Sequence, residues 1–203
     1  REESDPAATI AESLTLLRDD ISFRRFVVAR TLMLATALSP PLIVSMSAEA
    51  SEAGVSGLGP FVVATGLAGL ASSPIWGRLA DRSSRLVMAI ASGSAGVVIL
   101  AFLGGWIAEV DAGSWLGPTA YLLLAIVHAG ARMGRKTYVI DLGSGDARTR
   151  YVAVSNTVIG ARLLFTGVVS AVVAEMGTEL VLAGFAVLGL VGSMAALRME
   201  EIH

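Results

Sequence analysis

Six apolar runs, each close to the ~20 residues that a helix needs to cross a ~30 Å hydrocarbon core, take up most of this chain. Run A covers about Phe26 to Met46, B Gly59 to Trp76, C Leu86 to Ile107, D Trp115 to Gly134, E Val152 to Ala174 and F Leu180 to Leu197. At 54% hydrophobic against 16% charged residues the chain fits a soluble core poorly and fits a polytopic membrane protein. Short links make neighbouring helices antiparallel, so successive links fall on opposite sides of the membrane. The spacing therefore predicts an all-α membrane domain.

Charge fixes the orientation. Arg18, Arg24 and Arg25 precede A; Arg78, Arg82 and Arg85 join B to C; Arg135, Lys136, Arg148 and Arg150 join D to E; Arg198 follows F. The other links carry Glu49 and Glu52, Glu109 and Asp111, then Glu175 and Glu179, with no lysine or arginine. By the positive-inside rule both termini are cytoplasmic, and the helix count is even. Residues 1–22 read as a linker whose Ile10, Leu14, Leu17 and Ile21 form one apolar face of a surface helix. Residues 23–199 form the transmembrane domain and 200–203 a cytoplasmic tail. With a first residue that is not Met and no cleavable apolar leader after it, the chain is expected to be a fragment of something longer.

Within the runs, Gly66 and Gly69 in B, Gly93 and Gly96 in C, Gly130 and Gly134 in D, and Gly189 and Gly192 in F are expected to let helix backbones approach closely. Pro40 and Pro41 remove backbone donors and predict a kink in the outer half of A. Phe61 and Trp76 are expected to anchor the ends of the short run B at the interface.

The stretch Gly77-Arg78-Leu79-Ala80-Asp81-Arg82-Ser83-Ser84-Arg85 sits between B and C. It resembles the motif that major facilitator superfamily transporters carry between the second and third helices of each six-helix half, with Ser84 where the usual pattern has a second glycine. Lys136 to Asp141, with Asp146, Arg148, Arg150, Tyr151 and then Ser155 to Thr157 and Gly160, resembles the superfamily's link between the fourth and fifth helices. Together the resemblances span residues 24 to 198. Helix E lacks the Gly-Pro-x-x-Gly-Gly pattern of the N-terminal half of the antiporters, which points to a C-terminal half. The resemblance implies six helices as two inverted three-helix repeats, A–C and D–F, half of an alternating-access transporter of a bacterial-type inner or plasma membrane. It implies that Gly77, Arg78, Asp81, Arg82 and Arg85 form a conformational latch against a missing N-terminal half. Helices A, B, D and E then line the cavity, and C and F face lipid. From the residues alone, Asp81 has Arg78, Arg82 and Arg85 at offsets that allow local ion pairs, so a simple turn is the plainer reading.

Polar residues inside the runs mark a candidate substrate path. Tyr121, His128 and Arg132 share one face of D; Ser155, Arg162, Thr166 and Ser170 align along E. Arg162 lies ~15 Å into E, where a partner or a wet cavity is required: an acid of the missing half, an anionic substrate group, or helix-end carbonyls and water. His128 is the one group here that titrates near neutrality, although a histidine bonded to a neighbouring helix is the plainer reading.

The chain has no cysteine and two histidines, which excludes thiolate metal sites and leaves no metal set by spacing. Gly143-Ser144-Gly145 lacks the lysine of a phosphate loop, and no catalytic cluster emerges, so neither an enzyme nor a cofactor is expected. The expected partners are a small-molecule substrate, the lipid bilayer and the missing half, not nucleic acid. The rival is a membrane-embedded interaction or scaffold domain that transports nothing.

Overall fold

The computed structural model describes residue 15 and residues 18–51, 57–110, 115–142 and 145–201, with side chains described outside 139–150. Its described residues are almost all helical, with no strand among them. The helices are α1 (Ile21–Ala50), α2 (Gly59–Ala80), α3 (Ser84–Ile107), α4 (Gly117–Leu142), α5 (Gly145–Ala174) and α6 (Thr178–Leu197). Most of the expected N-terminal surface helix lies outside the described residues; of it, Thr15, Arg18 and Asp19 are helical.

Helix α1 begins at Asp20, whose carboxylate accepts from the Phe23 N–H at 2.9 Å and so satisfies one of the first-turn donors. Fifteen residues on, the α-helix gives way to a 3-10 turn at Thr36–Leu38 before resuming at Ser39. The prolines act one turn ahead of themselves. Pro40 and Pro41 offer no N–H to the carbonyls of Thr36 and Ala37. The Thr36 carbonyl is met instead by the Ser39 backbone N–H and by Ser39 Oγ at 2.7 Å. This break is where the kink was expected.

Three helices outrun their apolar stretches. α2 continues past Trp76 to Ala80, so Gly77 to Ala80 are helix, and the turn to α3 is only Asp81, Arg82 and Ser83. α4 runs beyond Gly134 to Leu142, and α5 starts at Gly145 rather than at Val152. Loss of apolarity ends a membrane-compatible stretch, but Arg, Lys and Ala remain good helix formers, so backbone bonding carries on.

α3 is the centre of the bundle. Its inner face, including Val87, Met88, Ala91, Ala95, Ile99 and Phe102, is buried against α6 on one side and α4 on the other. α2 lies on α4, and α1 lies on α6 and α5. The glycines that permit these approaches are those expected in α3, α4 and α6. A Cβ on Gly96 would meet the Ala186 carbonyl oxygen at 2.7 Å, and one on Gly130 would run into the Trp76 indole. Gly66 and Gly69 differ: they lie on the outer face of α2 with nothing within 4 Å.

Trp76 and Phe61 are not interfacial anchors, since both are buried between α2 and α4. The bare backbone of Gly130 makes the slot for the indole, whose N–H donates to the Ile126 carbonyl at 2.7 Å. Phe61 meets Tyr121 edge-on, with ring centroids 5.5 Å apart.

Among the described residues, four helical segments are long and apolar enough to cross a membrane: Ile21–Ala50, Ser84–Ile107, Tyr151–Ala174 and Thr178–Leu197. α2 and α4 are outside that set; α2 is diluted by glycine, alanine and serine, and the second half of α4 carries Arg132, Arg135 and Lys136. The outward faces are apolar, with Val62, Leu70 and Ile75 on α2 and Leu164, Phe165, Val168 and Val172 on α5 all exposed. Apolar patches of that extent suit lipid or another protein surface rather than water.

Candidate functional site

The charged turn between α2 and α3 is organised by Ser83 rather than by Asp81. Ser83 Oγ accepts from the Leu86 N–H at 3.1 Å and caps α3. Asp81 is exposed and, among the described residues, pairs with none of Arg78, Arg82 and Arg85. Arg78 and Arg82 point to solvent, and a Cβ on Gly77 would meet nothing within 4 Å. Arg85 turns the other way, with its Nε 2.9 Å from Glu201 Oε2 and its Nη1 donating to the Met199 carbonyl at 3.1 Å. Glu200 and Glu201, assigned by sequence to a tail, are thus held on the bundle. Tyr138 Oη donates to the Glu200 carbonyl at 3.2 Å, and Ser22 Oγ donates to its carboxylate at 2.6 Å.

Just inside that end lies a residue that the sequence reading passed over. Arg30, on α1, is 7% exposed. Its Nη1 donates to Ser155 Oγ at 2.7 Å and its Nη2 to Asn156 Oδ1 at 2.9 Å, both on α5. The guanidinium carbon sits 5.9 Å from the Phe26 ring centroid, and Nε is buried without a hydrogen-bond partner. No carboxylate among the described residues pairs with it. Its signal was present: a charge four residues into run A, close behind Arg24 and Arg25.

The residues expected to share a substrate path fall into three places. Tyr121 stays with α2, within 3.5 Å of Thr65 Oγ1. His128 is buried against α1, with Nε2 3.2 Å from Thr36 Oγ1, and with Arg132 and Arg135 it lines a cavity of about 150 Å³ closed by Met33, Leu34, Ala37 and Ala131. Arg162, Thr166 and Ser170 line a separate groove of about 310 Å³ between α1, α5 and α6, walled mainly by Leu32, Phe165 and Phe185. Ser155 leaves their stripe for Arg30, and Arg162 is exposed with no partner among the described residues. Helical spacing places residues on a face, while the neighbouring helix decides what that face meets.

The side chains of Asp141, Asp146, Arg148 and Arg150, and residues Glu52, Asp111, Gly143 and Ser144, lie outside what the structure describes. Among the described residues no cluster of His, Asp or Glu could hold a metal ion. No protein-family model matches the chain, and no curated protein matches it either.

Proposed function

We propose that the chain is one six-helix half of an alternating-access secondary transporter resembling the major facilitator superfamily, embedded in the membrane with both ends cytoplasmic. The observation that carries this reading is the pattern of neighbours. Exchanging the triplet α1–α3 with α4–α6 turns the contact of α1 with α5 into that of α4 with α2, and the contact of α1 with α6 into that of α4 with α3. It leaves the α3–α6 contact in place. An internal two-fold of this kind is what inverted repeats produce. It also sets α1 and α4, the first helix of each triplet, across the polar cavity from one another.

The open faces of α2 and α5 support the same reading. Gly66 and Gly69 on α2, and Gly160 and Gly167 on α5, have nothing within 4 Å, which leaves room for helices of a second half. Asp81, exposed and unpaired among the described residues, is available to such a partner. A carboxylate that meets a helix N-terminus in one state only would bias the exchange between states.

Asp81→Asn in the full-length protein is therefore expected to leave insertion intact and to lower solute flux in vesicles. A latch contact worth about 1–3 kcal/mol shifts the balance of states by roughly 5–150-fold. Wild-type flux at matched protein level would return the turn to a purely local role and favour the scaffold reading.

Topology is tested separately in a chain with no native cysteine. Cysteines at Arg82 and Glu109, at opposite ends of α3, are expected to label with an impermeant reagent from opposite sides. Labelling of both from one side would refute the arrangement.

A further inference from the structure

The cavity between α1 and α4 is cationic, and nothing described in the chain neutralises it. On α4, His128, Arg132 and Arg135 follow one another at helical spacing along its wall. On α1, the facing stripe is Met33, Leu34 and Ala37, and Arg30 continues it one turn toward the cytoplasmic end. The charges are close enough to act on each other: Arg135 on Arg30, and Arg132 on both Arg135 and His128. The one ion pair among the described residues, Arg85 with Glu201, lies elsewhere.

Three guanidinium groups gathered without an acid among the described residues, one of them buried, are unfavourable on their own. The fold nevertheless holds Arg30 in place with Ser155 and Asn156, and aromatic packing fixes the surroundings: Phe26 stacks on Tyr138 with centroids 5.1 Å apart. A rigidly held arginine whose Nε–H has no partner, beside two more on the adjacent helix, is suited to a planar or tetrahedral anion, which guanidinium forks bind through paired charge-assisted bonds.

Resting on the transporter reading, we propose that this cavity binds the anionic group, a carboxylate or a phosphate, of the solute carried, with Arg132 and Arg135 as ligands and Arg30 as the buried charge beneath them. The His128 end of the cavity, beside Thr36, lies roughly 9 Å inside Gly134 at 1.5 Å per residue, where the apolar run of α4 ends, and the transporter reading commits the site to a soluble anion rather than a lipid headgroup. The site is distinct from the Arg162 groove, whose lining is mainly apolar.

The test uses full-length protein in neutral detergent at constant ionic strength. Thermal unfolding is followed against inorganic phosphate, succinate, chloride and a neutral sugar. Phosphate or succinate is expected to raise Tm saturably, with chloride and sugar inert. Arg132→Gln and Arg135→Gln, at positions exposed enough to leave the fold intact, are each expected to weaken that apparent affinity about tenfold or more while the unliganded Tm stays put. No saturable stabilisation by either anion would overturn the proposal. So would equal stabilisation of the double variant, or stabilisation conferred only by phosphatidylglycerol in nanodiscs.

The assay needs no transport, so the two readings fail separately. Anion binding without flux in vesicles keeps this site and removes the transporter. Flux of a neutral or cationic solute that is unchanged in Arg132→Gln does the reverse.

Discussion

Gly96→Leu is expected to prevent the bundle from folding. At this position α3 and α6 touch backbone to backbone: a first carbon on Gly96 would already sit 2.7 Å from the Ala186 carbonyl oxygen and 3.2 Å from the Leu190 nitrogen. From the other side, a Cβ on Gly189 would meet the Gly96 nitrogen and the Ser92 carbonyl oxygen, each at 3.1 Å. Neither neighbour is a flexible side-chain tip, so the helices themselves must separate. Separation would also break the bonds that tie the two helices together, Ser92 Oγ to the Gly189 carbonyl at 2.7 Å and Ser193 Oγ to the Ala89 carbonyl at 2.7 Å. Overpacking one methylene in a rigid core costs about 1–3 kcal/mol, and a leucine adds several at the central contact of the whole bundle. That approaches the ~5–15 kcal/mol by which whole domains are stable. The measurement is the yield of monodisperse protein and its melting in detergent. Gly104→Ala, on the same helix with nothing within 4 Å, serves as the control and is expected to match wild type or gain slightly from helix propensity. A Gly96→Leu protein that melts like wild type would mean that α3 and α6 do not pack as described.

That contact was legible in the sequence because a glycine inside an apolar run has few other reasons to be there. Gly66 and Gly69 carry the same signal, yet no described neighbour approaches them. Composition alone does not distinguish a glycine packed within a chain from one left open to a partner. Helix positions followed the apolar runs, but helix ends did not. Hydropathy reports where a segment suits hydrocarbon, whereas hydrogen bonding decides where the helix stops, so Gly77 to Ala80 and Arg135 to Leu142 were read as links. Site residues were recognised by type and scattered by packing. His128 was expected to bond a neighbouring helix and meets Thr36 on α1, while Tyr121, on the same face, meets a different helix altogether.

Arg30, overlooked because of its place at the edge of an apolar run, yields the sharpest separation of stability from function. Arg30→Met is expected to leave Tm unchanged or slightly higher and to abolish anion binding. The stability half follows from what the arginine leaves behind. Ser155 Oγ keeps its own bond to the Val152 carbonyl at 3.1 Å, and Asn156 is exposed and free to bond water, so no buried polar group is stranded. The substitution meanwhile removes a buried charge that no described acid compensates, and with it the repulsion from Arg135. Replacing buried ionic groups by apolar ones of similar size is often neutral or stabilising by about 1–4 kcal/mol, and methionine, unbranched and adaptable, fits the stem's path past Phe26. The binding half follows from the charge: without Arg30 the cavity loses the positive charge that the fold holds rigidly beneath it. Arg30→Lys separates charge from shape, since an ammonium cannot span Ser155 and Asn156 as the fork does, and about tenfold weaker binding with a retained anion preference is expected. Both quantities come from one melting series with and without succinate or phosphate. A large fall in unliganded Tm for Arg30→Met would mean that the arginine is there to join α1 to α5, and the cavity's charge would then be a by-product of packing rather than its purpose.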